Sequence, residues 1–271
     1  MSRLLGAPAV PSSAAQTAQK RSYRNLLAQM LVAAALFGSI LFAWSNSFGN
    51  RFVLDSKFLI LRDARVHSAN MANLDLILSH PYWLTPVNSG LYRPFATMSY
   101  LFNYSILGDG EKPAGYHWLN LILHCLNAFL VYLLALRLLK RMWPAVFVAG
   151  VWALHPIVTE SVTNIAGRTD LLACAGIFGA LLMYAKSSEC SGGRQVLWLI
   201  GLSLATTIGV FSKENAVVIL GLIVLYQIVR GGGMESIGVW IRRGRCANSD
   251  HAVPAIARDG RGRADDHSVY G

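Results

Sequence analysis

Apolar stretches of bilayer length dominate the hydrophobic pattern of this chain, separated by short polar motifs. Residues 26–44 carry no charge over 19 positions, about 28 Å as a helix, which matches the hydrocarbon core of a membrane. Five further apolar runs follow at 117–136, 144–154, 171–185, 196–211 and 216–229. The run at 144–154 is short and those at 171–185 and 216–229 are marginal, so their ends are expected to extend into the polar motifs beside them. Between the first two runs, residues 45–116 form a segment too long for a structureless connection. Within it PFATMSYLFNYSIL, residues 94–107, is apolar but too short to span, and is expected to be an interfacial or re-entrant helix.

Composition agrees with this pattern. Charged residues are 14% of the 271, the AVILMFWYC set is 54%, and mean hydropathy is +0.42. Soluble domains carry roughly 25% charge, so neither a soluble globule nor a disordered chain fits. The predicted class is an all-α integral membrane protein of about six transmembrane helices, multi-pass, with interfacial helices in a large first extracytoplasmic loop.

The net charge of +10 changes the picture only through topology. Bases gather in the segments assigned to the cytoplasm (Arg3, Lys20, Arg21 and Arg24; Arg137, Lys140 and Arg141; Lys186 and Arg194; Arg230), while the two short outside connections hold only Arg168 and Lys213. That is the positive-inside distribution, and nucleic acid is not needed as a partner to explain it. Three regions result: a basic cytoplasmic tail at 1–24, a transmembrane domain at 25–229 with its outside loop at 45–116, and a low-order cytoplasmic tail at 230–271. The last has the composition of a disordered tail or of a frame-shifted or truncated end. Cys125, Cys174, Cys190 and Cys246 show neither CxxC nor a framework spacing, so no disulfide or zinc site is expected.

Four polar clusters fall on the outside face, where an ionisable group beside the bilayer is costly and is expected to face protein or a water-filled cavity. FVLDS (52–56) places Asp55 and Ser56 close to the membrane, either as a helix cap or as a general base with a supporting hydroxyl. YRP (92–94) sets Arg93 at the positive end of the 94–107 helix, a fit for phosphate or an interfacial anchor. HPIVTE (155–160) continues to GRTD (167–170), so His155, Glu160, Arg168 and Asp170 emerge near one level; a structural Glu160–Arg168 ion pair is the alternative reading. SKEN (212–215) leaves no room for a real loop, so Lys213 and Glu214 are expected to be partly desolvated. No HExxH, GxSxG or phosphate-cradling glycine loop occurs, and nothing here suggests a metal.

The order of these strings is itself specific. FVLDS, YRPFATMSYLFNY, GYHWLNLILHCLNAFLVY, WALHPIVTESVTNIAGRTDLLA and FSKENAVVIL together resemble the membrane part of the transmembrane and TPR repeat-containing (TMTC) family and its bacterial relatives, over about residues 50–229. The resemblance implies a GT-C-like fold that takes a sugar from a polyprenyl-phosphate carrier to a protein hydroxyl outside the cytoplasm. Membrane lipid, that lipid-linked donor and a protein acceptor are the implied partners, with no cofactor or metal. It implies location in the plasma membrane for a bacterial chain and in the endoplasmic reticulum for a eukaryotic one.

On that reading Asp55 is the base, with Glu160 or Asp170 next, and Arg93, Arg168 and Lys213 bind the donor phosphate. Ser56, His155 and Glu214 support them. Ser56 stands where many relatives of this kind carry a second acid. Family members continue through further spans and a TPR array, so a truncated enzyme is expected, or a non-catalytic anchor or assembly module that keeps the fold. A transporter is disfavoured because the charges gather at one face and not at the midplane.

Overall fold

The computed structural model describes residues 13–84 and 90–231, with side chains from residue 23 onward. It divides into two compact units, Met1–Ile223 and Val224–Gly271. Residues 1–12, Cys246 and all but the first two residues of the 230–271 tail lie outside the described residues. Every regular element among those described is helical.

The long helices are α1 (Ser13–Trp44), α4 (Pro113–Leu139), α7 (Arg168–Ser187) and α8 (Gly193–Ser212). Each contains a stretch long and apolar enough to cross a membrane. The short run at 144–154 becomes α5 (Met142–Leu154), which continues after a 48° bend into residues 156–163, including α6 (Thr159–Thr163). Counting that pair as one broken span gives five candidate spans, against about six expected. The difference is the run at 216–229, which forms a 3-10 turn and then α9 (Ile219–Gly231), 13 residues as described.

Helix α4 is the axis of the bundle, with α1, α5 and α7 packed around it and α8 against α7. One face of α4 is polar. His117, Asn120, His124 and Asn127 are all buried and recur every three or four residues, the spacing of one helical face. Each reaches a backbone carbonyl of a neighbouring segment: Asn50, Asn164, Ala153 and Leu171 respectively. The Ala153 carbonyl is orphaned by the break after α5, where the Ile157 amide turns to donate to His155 Nδ1 (3.2 Å). His124 Nε2 lies 2.9 Å from that oxygen. In an apolar bundle an unpaired carbonyl is costly, so the polar face of α4 stabilises the broken span.

Small residues bring α7 and α8 together. A methyl group added at Gly176 would lie 2.5 Å from the Gly209 Cα, and Gly179 faces Ala205. Gly201, Ala205 and Gly209 form a small-xxx-small stripe on α8, the pattern that lets membrane helices approach backbone to backbone.

The described part of the 45–116 segment builds a small core that also takes in Ile165. Phe52, Leu59, Ile60, Val66, Ile77, Tyr82, Ala96, Tyr100 and Tyr116 pack together. Asn70 starts α2 (Met71–Ser79), its Oδ1 accepting from the Asn73 amide (2.8 Å). Residues 94–107 form α3 (Pro94–Leu101) and a π-turn, Phe102–Ile106. Helix α3 packs against α7 and α8.

Candidate functional site

The FVLDS turn is wound tightly. Leu54 takes a left-handed φ of 46°, a conformation that costs a non-glycine residue about 1–3 kcal/mol. Ser56 holds it closed: its Oγ accepts from the Val53 amide (2.9 Å) and donates to the Val53 carbonyl (2.7 Å). The Ser56 side chain is buried in this task, so it fastens the turn and does not face solvent. The turn leaves Asp55 exposed, without a hydrogen bond among the described residues and without capping the following helix.

Helix α3 begins at Pro94 with Arg93 just before it. The Arg93 guanidinium donates twice to Glu214, from Nε to Oε2 (3.0 Å) and from Nη2 to Oε1 (2.6 Å). The next residue back, Lys213, donates to Asp170 Oδ1 (2.6 Å). The SKEN turn is therefore fastened at two points, to the start of α3 and to the first turn of α7. Lys213 is mostly shielded, whereas the Glu214 side chain stays 55% exposed, so only the first matches the desolvation expected of both. The hydrogen bonds from Arg93 hold the Glu214 carboxyl below the usual glutamate range.

The HPIVTE and GRTD strings fold onto one another at Gly167. A side chain there would collide with the Glu160 and Ser161 carbonyls, at 2.7 and 2.6 Å. This close approach brings Glu160 and Asp170 to the same side. A cavity of about 160 Å³ results, lined by Asp55, Arg93, Glu160, Asp170 and Lys213 among others. All five were singled out in the sequence, and they come from separate stretches of the chain. The cavity lies where α1, α5 and α8 end and where α4 and α7 begin. Both cations already have partners, Glu214 and Asp170, while Asp55 and Glu160 are the carboxylates lining this cavity that have no hydrogen bond among the described residues.

Two of the expected site residues lie outside this cavity. Arg168 is fully buried and does not line the cavity. Its Nε donates to Asn120 Oδ1 (2.8 Å), Nη1 to Asn103 Oδ1 (2.5 Å) and the Ser99 carbonyl (3.0 Å), and Nη2 to the Tyr116 carbonyl (3.0 Å). It also lies over the Tyr100 and Tyr116 rings. With four of its five N–H donors engaged it ties α3, α4 and α7 together, and none of these bonds goes to Glu160. His155 sits away from the cavity on an apolar surface with Phe147, Val151 and Trp152.

Other lining residues went unassigned in the sequence reading: Leu59, Tyr82, Trp83, Asn164 and Thr169. Tyr82 is fixed by a buried ion pair. Arg65 grips Asp63 (Nη2–Oδ2 2.8 Å) and donates to the Pro81 and Tyr82 carbonyls at 3.0 and 2.9 Å. Burial raises the Tyr82 hydroxyl well above its ordinary range, so it stays protonated and serves as a donor, not a base. In the sequence D-x-R at 63–65 and PYW at 81–83 are separated by 15 residues, so nothing local marks their association.

Comparison with known proteins adds identity to this geometry. No family model and no solved structure matches the chain. It is 32% identical over 193 residues to the protein O-mannosyl-transferase Tmtc2 of Drosophila melanogaster, covering 69% of this chain and 20% of the relative. It is 32% identical over 196 residues to Tmtc1 of the same fly (70% and 22%) and 26% over 199 residues to human TMTC3 (71% and 21%). The chain thus spans about a fifth of the length of the curated relatives it matches. Across that aligned membrane portion, the chain belongs to the TMTC family.

Proposed function

We propose that the cavity is the sugar-transfer site of a membrane protein O-mannosyl-transferase of the GT-C kind. A polyprenyl-phosphate sugar is the donor, and a protein hydroxyl on the extracytoplasmic side is the acceptor. The observation that carries this is the convergence of Asp55, Glu160, Asp170, Arg93 and Lys213 on one cavity at one end of the bundle. Relatives named protein O-mannosyl-transferases support the reaction type. In such a transfer the acceptor oxygen bonds to the anomeric carbon as the bond from that carbon to the phosphate oxygen breaks. The hydroxyl proton passes to a carboxylate, and negative charge builds on the departing polyprenyl phosphate.

Asp55 is the preferred base because it is unpaired and set on a strained, fastened turn; Glu160 is the second. Asp170 is bound to Lys213 and serves to orient it. Arg93 and Lys213 are the cations for the leaving phosphate, since preorganised charge at the site of developing charge is the largest catalytic lever. No cofactor or metal is invoked.

A second reading, a non-catalytic anchor or assembly module, draws support from the pairing of both cations inside the protein. A donor phosphate would have to compete with Glu214 and Asp170. The discriminating experiment is sugar transfer in membranes supplied with polyprenyl-phosphate mannose, comparing the wild type with Asp55→Asn and Glu160→Gln. Loss of about 10²- to 10⁴-fold in one variant identifies the base. Equal product from all three removes both carboxylates from the chemistry, and no product from correctly inserted wild type favours the inert module.

A further inference from the structure

A second cavity of about 300 Å³ adjoins the first. The two share a wall made of Leu59, Tyr82 and Trp83, and the outer one is completed by Phe58 and Arg62 among others. Its character differs from that of the inner, charged cavity. Phe58 is exposed and Trp83 is partly exposed, its ring set edge-on to Tyr82 at 5.5 Å. The Arg62 guanidinium lies 4.7 Å over the Phe58 ring. It has no hydrogen-bond acceptor among the described residues, whereas Arg65, Arg93 and Arg168 are all engaged. Asp63, the carboxylate in this cavity, is consumed by Arg65. The outer cavity therefore offers aromatic surface and one exposed guanidinium without a hydrogen-bond acceptor among the described residues.

We infer that the outer cavity is the subsite for the acceptor polypeptide, holding the residues that flank the hydroxyl to be modified; this rests on the transfer reading above. Two features identify an extended peptide as the occupant. The first is continuity: Asp55 lines the inner cavity, and Phe58 and Arg62 stand three and seven residues further along the same helical segment. That is about 5–10 Å at helical rise. An extended chain advances about 3.3 Å per residue, so a hydroxyl beside Asp55 places the side chain two or three residues away against Phe58 and Trp83. The second is complementarity. An aromatic wall suits a bulky apolar flanking side chain, and the exposed Arg62 guanidinium suits an acidic one or a peptide carbonyl. The acceptor is thus chosen by a flanking residue, at a distance from the transfer chemistry.

The test uses the full chain in lipid nanodiscs and short threonine peptides. One carries benzoylphenylalanine three residues from the threonine; the others carry leucine, aspartate, lysine or alanine there. On illumination the photoreactive peptide should crosslink to the 58–62 segment or Trp83. Adducts elsewhere, or none because lipid holds the cavity, overturn the proposal. In transfer assays Phe58→Ala should raise KM for the leucine peptide about tenfold, leaving kcat and the alanine peptide unchanged. Arg62→Glu should exchange the preference for aspartate over lysine. Equal KM across all peptides and variants refutes the subsite while transfer stands. The crosslink reads binding even in a chain without turnover, so failure of the transfer reading is distinguished from failure of this one.

Discussion

Replacing Arg168 separates a structural hub from a phosphate ligand. Arg168→Ala removes five donors and leaves four acceptors behind: Asn120 Oδ1, Asn103 Oδ1 and the Ser99 and Tyr116 carbonyls. Arg168 itself has no exposed surface, so water does not readily replace the lost partner. A buried acceptor left unpaired costs about 1–3 kcal/mol, and relaxation of the freed segments returns part of this. The net expectation is about 3–5 kcal/mol, below the sum of four full penalties of that size. At about 2–4 °C per kcal/mol for a chain of this size, the melting point should fall by about 6–20 °C. Arg168→Lys should recover little, because an ammonium cannot reach four acceptors arranged for a planar fork.

The assay is thermal unfolding in nanodiscs with a thiol-reactive fluorophore, reporting exposure of Cys125 and Cys174, both partly buried in the bundle. Arg93→Ala is the comparator. Its partner Glu214 is more than half exposed, so it should melt within a few degrees of wild type while losing donor affinity. If Arg168→Ala melts with the wild type and yet loses donor binding as Arg93→Ala does, Arg168 contacts substrate and the hub argument fails.

Four further outcomes are expected. Gly176→Val should force α7 and α8 apart, costing about 1–3 kcal/mol by overpacking, and a disulfide-crosslinking survey across the two helices should show the separation; unchanged crosslinks would contradict the close approach. His124→Leu orphans the Ala153 carbonyl and should cost about 1–3 kcal/mol, read as a lower melting point with α5 becoming more protease-sensitive at the break. Asp63→Asn leaves the Arg65 charge buried without its carboxylate, so the 52–84 region should lose about 3–5 kcal/mol and become the first site of limited proteolysis. Glu214 has a lowered pKa in the fold, so its contribution is present above the unfolded value of about 4.3 and disappears as pH falls through the lower folded one. Wild type and Glu214→Gln should therefore differ slightly near neutral pH and converge in acid, and high salt should shrink the gap because the pair is exposed.

Some features were legible in the sequence because they depend on local chemistry alone. Uncharged runs of bilayer length can only be helices in a membrane, so the all-α class and the approximate positions of α1, α4, α5, α7 and α8 follow from hydropathy. The length and proline of PFATMSYLFNYSIL mark a helix too short to span. Asp55, Arg93, Glu160, Asp170 and Lys213 were identifiable because ionisable groups beside a bilayer are expensive and need a reason to be there.

Direction is what the chain could not announce. Arg93 and Arg168 look alike as basic residues in outside motifs, and Asp55 and Ser56 are neighbours. Only packing turns Arg93 to the cavity and Arg168 into the bundle, and only the left-handed turn at Leu54 exposes Asp55 while burying Ser56. Burial and hydrogen-bond saturation arise from partners 40 to 120 residues away, as in Arg168 with Asn120 and Arg93 with Glu214. Hydropathy therefore determined which segments are helices and where polar groups concentrate. The tertiary structure decided which of those groups remain unpaired, because an unpaired charge is a property of three-dimensional neighbours and not of sequence position.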